Sequence, residues 1–294
     1  MGNRFFVFLL LGWVMAFYGS RSSRLIVNKF HEDQELLRSD NKTPWYRVEN
    51  PESSFVQLSY DSETEVFVKA SVEKSDRFWF QVYHNLAIPC LKIFYSQTDV
   101  NGLLQRGSMF VLSLQQTIQL LPAQEYRSII DLGAGDGEVT LRLKSLFTDM
   151  YATEASSIMR SLLTSKGFTV LDQDHWGDSG PFDAISCFNL LDRCAEPLSI
   201  IKTIKKSLSP NGVVILALVY PFHPYVEFGS STMPNQKLNI STESFGAHVS
   251  SVVELFAQEG FALKAYSRVP YLCEGDLRRS IYSIDDSIFI FTHR

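Results

Sequence analysis

Apolar and polar positions follow two different rhythms in the second half of the chain. From residue 128 onward, short continuous apolar runs are separated by segments whose apolar residues recur every three or four positions. The first pattern is typical of buried strands and the second of amphipathic helices. The predicted strands are 128–132, 150–153, 168–171, 182–188, 213–219, 262–269 and 281–292, and the predicted helices are 138–147, 156–166, 197–208 and one that ends at Gly260. This alternation indicates a parallel sheet with helices on both faces, closed by an antiparallel final pair of strands.

The N-terminal half adds three segments to this main domain. The predicted organisation is a signal peptide or signal anchor at 1–20, a polar linker at 21–70, a helical region at 71–127 and the main domain at 128–294. In the linker we expect Trp45 and Tyr46 to pack against the rest of the fold. In the helical region, the apolar residues of 78–94 are predicted to cover the core, and a further helix is predicted at 111–121.

The N-terminal segment contains a nearly continuous apolar stretch at 5–18. This stretch is shorter than the ~20 residues of a spanning helix, which favours a signal peptide, with an uncleaved signal anchor as the alternative. We therefore expect the endoplasmic reticulum or another endomembrane lumen, with the mitochondrion as the alternative, and membrane contact through this segment only. Sequons at Asn41 and Asn239 are compatible with glycosylation in a lumen.

Composition narrows the possible partners. The chain has 294 residues, 45% of them apolar, and a formal net charge of −5. No basic block or basic-aromatic stripe is present, so nucleic acid is not an expected partner. The four cysteines form no Cys-x-x-Cys pair and the six histidines are scattered, so we expect no metal site. We expect a monomer.

A glycine-rich stretch, Asp-Leu-Gly-Ala-Gly-Asp-Gly at 131–137, separates the first predicted strand from the first helix. Such spacing predicts a tight turn whose backbone N–H groups face a ligand. A dinucleotide motif would need glycine where Glu138 stands. The pattern instead resembles the first motif of class I S-adenosylmethionine-dependent methyltransferases, which implies a Rossmann-like α/β fold with a seven-stranded sheet and an antiparallel last strand. We expect Gly133 and Gly135 to border this cofactor, and Asp131 to position the turn by bonding its backbone N–H groups.

Three charged residues are further candidates for the cofactor. Glu154 ends the second predicted strand, where a carboxylate can accept both ribose hydroxyls, although a charge at a helix start is the alternative. Asp174 follows the third strand, where class I enzymes bind the adenine edge, and its alternative is an ordinary loop carboxylate. Arg106 precedes the first core strand and can pair with the methionine carboxylate, or else it is a surface charge.

Asn189 and Asp192 follow the fourth predicted strand, where this fold presents residues to the transferring methyl. A spacing of three puts both on one face if a helical turn begins there. Methyl transfer from a sulfonium is an in-line displacement, so the enzyme must mainly hold the nucleophile on line. Asn189 can use its amide on the cofactor and Asp192 can accept a hydrogen bond from the nucleophile. A helix cap without chemistry is the alternative.

Several stretches resemble the DREV family of protein-histidine methyltransferases. They are 99–102 with 106–110, 131–140, 151–154, 189–194, 221–227 and 270–276. The resemblance covers about residues 70–294 and implies methylation of the pros nitrogen in His-x-His segments of protein substrates, where x is small. It implies five site residues, namely Glu154, Asn189 and Tyr271 against S-adenosylmethionine, and Asp192 and Tyr282 against the substrate imidazole.

Two regions depart from the family pattern and leave alternatives open. The sequence after Gly275 is less acidic and aromatic than in the family, and the segment 229–246 is divergent. His223 lies within a family motif and is expected to form a wall of the peptide groove. The alternative functions are a class I methyltransferase for a lipid or small molecule, and a catalytically silent binding protein.

Overall fold

The computed structural model of the chain describes residues 21–38, 42–226 and 231–294. The predicted signal segment at 1–20 and the sequon residue Asn41 lie outside these ranges. Within them, a central mixed sheet carries helices on both faces. In chain order the strands are β1 (Met109–Phe110), β2 (Ser128–Leu132), β3 (Asp149–Thr153), β4 (Thr169–Val170), β5 (Phe182–Phe188), β6 (Leu208–Tyr220), β7 (Phe261–Glu274) and β8 (Ile281–His293).

The eight strands lie in the order β1-β7-β8-β6-β5-β2-β3-β4. Strands β4, β3, β2, β5 and β6 are parallel to one another, whereas β8 is antiparallel to both β6 and β7. The parallel strands turn the carboxyl ends of β2, β3 and β5 toward one edge of the sheet, which is where open α/β sheets bind ligands.

The helices of the described ranges connect and cover these strands. They are α1 (Arg21–Leu37), α2 (Ser62–Ser75), α3 (Phe78–Leu91), α4 (Gln97–Leu103), α5 (Leu114–Leu120), α6 (Glu138–Leu141), α7 (Ser157–Ser165), α8 (Pro197–Ser207) and α9 (Phe245–Gln258). Short 3-10 turns occupy Thr43–Trp45, Lys144–Leu146 and Trp176–Ser179. In the part of the chain that the structure describes, none of the helices has the length and apolar character to cross a bilayer.

The core contains two large apolar clusters, one on each face of the sheet, and a smaller one around Phe67 and Phe110. Successive residues of a strand point to opposite faces, so Ile129 joins one cluster and Ile130 the other. Both side chains are fully buried, as are Val214 and Ile215 in the neighbouring part of the sheet. This explains why these strands are continuous apolar runs rather than alternating ones.

All seven predicted strands are present, and the antiparallel placement of β8 confirms the expected end of the sheet. The eighth strand, β1, was not predicted because it has two residues, Met109 and Phe110, which pair with β7. The helix predicted at 111–121 begins only at Leu114, because the Ser113 side chain caps it by accepting a hydrogen bond from the Gln116 N–H.

The segment predicted as a polar linker has more structure than its composition indicated. Residues 21–37 form α1, in which Lys29 pairs with Asp33 one turn later at 2.9 Å. Tyr46 is buried against the body, as expected of the docking aromatics. Farther along, the backbone N–H of Val56 donates to the carbonyl of Tyr266 in β7 at 2.8 Å, so this segment lies along the sheet.

The prediction that the apolar residues of 78–94 cover the core was wrong. Helix α3 forms as expected, but Leu86 and Phe94 are 70% and 80% exposed. The inner side of the helix instead carries Gln81 and His84, both buried. Periodicity identified an amphipathic helix correctly, but it does not state which side faces inward.

We predict that Gly137→Ala destabilises the protein by about 1–3 kcal/mol. Gly137 has φ +77°, and a Cβ there would lie 2.7 Å from Cδ2 of Leu163. Gly246→Ala is the matched control, since a Cβ at Gly246 meets nothing within 4 Å. The control should be neutral or stabilising by about 0.5–1 kcal/mol, because alanine favours a helix over glycine. Urea unfolding of both variants measures the difference, and equal midpoints would contradict it.

Candidate active site

Asp131 lies at the end of β2, fully buried beneath the glycine turn. Its Oδ1 accepts a hydrogen bond from the Ser186 hydroxyl at 2.8 Å, and its Oδ2 accepts one from the Thr140 hydroxyl. The expectation that Asp131 bonds backbone N–H groups of the turn was therefore wrong. Its two carboxylate oxygens accept hydrogen bonds from hydroxyls of β5 and α6 instead. Burial raises the pKa of Asp131 to about 7.

The glycine turn places its backbone N–H groups against the next strand. Gly133 and Gly135 both have left-handed backbones, with φ +68° and +56°. The N–H of Gly133 donates to Oγ1 of Thr153 at 3.3 Å, and that of Gly135 donates to Oε2 of Glu154 at 2.9 Å. A Cβ built on Gly135 would meet only Cε of Met109, at 3.9 Å. The space beside Gly135 is thus open except for this methionine, whereas a Cβ on Gly133 would lie 2.8 Å from Cδ1 of Leu190.

Glu154 follows β3, the second strand predicted from the sequence, and its carboxylate lies beside the glycine turn. Its Oε1 accepts the N–H of Ser156 at 2.9 Å, while Oε2 holds the N–H of Gly135. The Ser156 hydroxyl in turn donates to Oδ1 of Asp99 at 2.5 Å, and this bond lowers the pKa of Asp99. Helix α4 therefore braces the residue predicted to bind ribose, a role of Asp99 that the sequence did not reveal.

Asn189 and Asp192 come together after β5, but not on a regular helical turn. Asn189 has a left-handed backbone, with φ +53°. Each residue has a buried Oδ1 that lacks a hydrogen-bond partner among the residues described. Oδ2 of Asp192 accepts a hydrogen bond from Nε of Arg193 at 3.3 Å. Burial raises the pKa of Asp192, and the charge of Arg193 opposes that effect.

Asp286 is a buried carboxyl in this site that sequence analysis missed. It lies in β8, and its Oδ2 accepts a hydrogen bond from Nδ2 of Asn189 at 2.9 Å. Its Oδ1 accepts the N–H of Ser287 at 3.0 Å. Burial raises the pKa of Asp286 to about 8; the bond from Asn189 lowers it, and the charge of Asp192 raises it further. The available signal was a pair of acidic residues, Asp285 and Asp286, shortly before the apolar run 288–291.

Tyr271 shares a sheet face with Asp286. Tyr271 pairs with Ile284, which lies two residues from Asp286, so the three side chains point the same way. The Tyr271 hydroxyl contacts the sulfur of Met109 in β1. Burial raises the pKa of Tyr271 well above its usual value, so the phenol is neutral. Met109 therefore lies between the glycine turn and Tyr271, the two parts predicted to hold the cofactor.

Tyr282 lies on the same face, farther out along β8. It is four residues from Asp286, a separation of about 13 Å along an extended strand. Its side chain is 38% exposed, and its hydroxyl lies 3.4 Å from Oδ2 of Asp276 in the β7–β8 connection. The structure therefore places Tyr282 at the rim, bonded to Asp276 rather than to Asp192.

Arg106 lines a small cavity with Lys74, His84 and Glu274. Glu274 accepts hydrogen bonds from Lys74 at 2.7 Å and from the N–H of Ser108 at 3.2 Å. The cavity is thus joined to the loop that leads into Met109. No hydrogen bond described for Arg106 reaches the glycine turn, so its predicted pairing with a methionine carboxylate stays a prediction.

The other candidates are exposed. Asp174 lies after β4 in a solvent-exposed loop, where its N–H donates to Oδ1 of Asp172 at 2.9 Å. His223 is exposed in the segment after β6. That segment is tied to the site because the N–H of Tyr225 donates to the carbonyl of Asp192 at 2.7 Å.

These contacts fit a nucleoside-bearing methyl donor. The backbone leaves space beside Gly135, the Glu154 carboxylate is bonded to the N–H of that glycine, and Asn189 offers a buried oxygen that lacks a donor among the residues described. Tyr271 and Met109 supply a neutral, largely apolar wall. Such a set suits a ligand that combines hydroxyl groups, an apolar body and a small reacting group.

Three solved structures are similar to this chain at low identity. A TehB-like SAM-dependent methyltransferase from Corynebacterium glutamicum is 16% identical, with 74% of this chain and 100% of that chain covered and a TM-score of 0.38. The magnesium protoporphyrin IX methyltransferase of Synechocystis, with bound SAH, is 14% identical over 56% and 74%, with a TM-score of 0.37. The precorrin-6y C5,15-methyltransferase of Geobacter metallireducens is 15% identical over 58% and 82%, with a TM-score of 0.37.

A family model covers most of the chain. The model of the DREV methyltransferases matches residues 45–293, which include the whole sheet and every candidate site residue. The match therefore agrees with the resemblance carried by the motifs. The chain belongs to the DREV methyltransferase family and is an S-adenosylmethionine-dependent methyltransferase.

Proposed function

We propose that this chain methylates the pros nitrogen of histidine in His-x-His segments of protein substrates, where x is small. The observation that carries the proposal is the pair of buried, unpartnered oxygens, Oδ1 of Asn189 and Oδ1 of Asp192. A buried acceptor without a donor costs about 1–3 kcal/mol, so the pair favours ligands that bring N–H groups. A neutral imidazole brings one N–H and one lone pair, as a nucleophile held in this site requires.

In this proposal Asp192 orients the substrate ring. Its Oδ1 accepts the N–H of the tele nitrogen, which fixes the tautomer whose pros nitrogen carries the lone pair. Arg193 supports this role because its charge opposes the effect of burial on the Asp192 pKa and so favours the ionised acceptor. The N–C bond would form as the S–C bond of the sulfonium breaks and a neutral thioether leaves. The ring would then be cationic and would pair with the Asp192 carboxylate until the proton on the tele nitrogen leaves to solvent.

The cofactor, when bound, supplies an electrophilic methyl group on a sulfonium. We propose that Glu154 accepts the ribose hydroxyls and that Asn189 and Tyr271 contact the cofactor near its reacting end. Asp131 supports the turn without contacting the cofactor, since both of its carboxylate oxygens accept hydrogen bonds from the Ser186 and Thr140 hydroxyls. By the same proposal, the turn at Gly133 and Gly135 borders the methionine part, Arg106 pairs with its carboxylate, and Asp174 lies at the adenine edge.

Tyr282 and the segment that contains His223 border the proposed peptide groove. Tyr282 is half-exposed at the rim, which suits contact with a bound peptide more than contact with the reacting atoms. The apolar stretch at 5–18 supports a substrate encounter in an endomembrane lumen, with the mitochondrion as the alternative.

The proposal is tested by incubating the full chain with methyl-labelled S-adenosylmethionine and a His-x-His peptide. Mass spectrometry should locate the label on histidine, and amino-acid analysis should identify the pros isomer. A peptide with both histidines replaced by alanine is the control. Label on a lipid extract instead of histidine would favour the lipid or small-molecule alternative. Absence of cofactor binding by calorimetry would favour a silent binding protein.

Asp192→Ala should keep cofactor binding and lower turnover on the peptide roughly 100-fold or more, because the ring would no longer be held in one tautomer. Calorimetry measures the first effect and the labelled-peptide assay the second. Asp178→Ala is the matched control, since Asp178 is an exposed carboxylate on the 3-10 turn after β4. Turnover of Asp192→Ala equal to that of the control would remove Asp192 from the mechanism.

Asp286→Asn should change how stability depends on pH. Burial raises the folded-state pKa of Asp286 to about 8, well above the ordinary carboxyl range, so folding favours its protonated form. Its contribution to stability is therefore fully present in acid and is lost as pH rises toward 8, by about 1.4 kcal/mol per pH unit.

The asparagine variant does not titrate at this position, so its stability relative to the wild type should increase by that amount per unit between pH 5 and about 8. Urea unfolding of both proteins at several pH values measures the difference. A constant difference across this range would show that Asp286 is ionised throughout.

A further inference from the structure

Helix α3 carries its apolar side chains on the outside of the protein. The exposed fractions are 77% for Trp79, 70% for Leu86, 74% for Ile93 and 80% for Phe94, the last two in the turn that follows the helix. Tyr83 on the same helix is 58% exposed. Contiguous exposed apolar side chains of this size mark a contact surface. We call the exposed side chains of residues 79–94 the α3 surface.

The orientation of α3 is fixed by polar contacts on its inner side. Nε2 of Gln81 donates to the carbonyl of Lys74 at 3.3 Å, and His84 is buried beside Arg106 and Glu274. Burial lowers the pKa of His84, which keeps the imidazole neutral in that position. Rotation of the helix to bury its apolar side would break the hydrogen bond of Gln81 and remove His84 from its buried position.

The charged residues within the segment 77–98 are all basic. Residues 77–98 contain no aspartate or glutamate, although the whole chain has a net charge of −5. Arg77 and Lys92, both exposed, flank the helix at its two ends. Cations that frame aromatic and aliphatic side chains match the boundary between lipid headgroups and acyl chains, where the cations meet phosphates and Trp and Tyr are favoured.

The N-terminal end of the described chain lies close to this surface. Lys29 of α1 forms an ion pair with Asp76, directly before α3, at 2.6 Å. Arg21, the first described residue, is eight residues earlier on the same helix, or about 12 Å along its axis. In the sequence, the apolar stretch at 5–18 directly precedes this helix.

We propose that the α3 surface rests on a phospholipid bilayer. The helix lies along the membrane plane, with Leu86 and Phe94 in the boundary region and Arg77 and Lys92 at the phosphates. Fourteen residues of helix extend about 21 Å, which suits a position along the surface more than a crossing of the ~30 Å hydrocarbon core. This contact is additional to any made by the apolar stretch at 5–18, and it does not depend on the proposed histidine substrate.

The test uses the full chain with vesicles of phosphatidylcholine and phosphatidylserine that contain brominated acyl chains, which quench tryptophan at short range. The signal of Trp79 is the quenching that disappears in Trp79→Phe. We expect quenching of Trp79 in vesicle-bound wild type. We also expect the double variant Leu86→Glu, Phe94→Glu to lose it and to partition into vesicles about tenfold less or weaker still.

The matched control is Ile118→Glu with Met233→Glu, two exposed apolar side chains outside the α3 surface. It should bind and be quenched as the wild type, and unchanged urea midpoints should show that all variants fold. Vesicle-bound wild type whose quenching is the same in Trp79→Phe would overturn the proposal, since the apolar stretch alone would then hold the protein. A double variant that differs from the control only in self-association would also overturn it, because the surface would bind protein rather than lipid.

Discussion

The buried carboxyl of Asp131 is the contact on which the rest of the site depends. Its two oxygens join β2 to β5 through Ser186 and to α6 through Thr140. A single side chain thereby connects two neighbouring parallel strands to the helix that follows the glycine turn. A buried carboxyl without its donors is costly, so separation of any one of these three elements would destabilise the other two.

Residues far apart in the chain complete the site around this centre. Asp99 holds the junction after β3 through Ser156, and Glu274 holds the loop before β1 through Ser108. The N-terminal helical extension is therefore more than a cover, since α4 and β1 brace the two sides of the cofactor region. Both elements lie within the family match, which begins at residue 45, well before the first strand of the parallel sheet.

The sequence predicted the strands and the position of Glu154 because both depend on local signals, namely apolar runs and the distance from a glycine turn. It did not predict Asp286, whose contact with Asn189 spans 97 residues and exists only because β8 pairs with β6. The outward side of α3 was missed for a similar reason. Periodicity reports that a helix has two unlike sides, whereas the choice between them depends on Gln81 and His84 meeting partners elsewhere in the fold.

Met109 gives the cofactor region a further property. Its thioether occupies the gap between Gly135 and Tyr271 and touches the tyrosine hydroxyl. A ligand that extends along the glycine turn therefore meets a sulfur side chain of the protein itself. Methionine is unbranched and polarizable, so this side chain can adapt its contacts to the ligand that borders it. The affinity for such a ligand then includes the free energy of any movement of Met109.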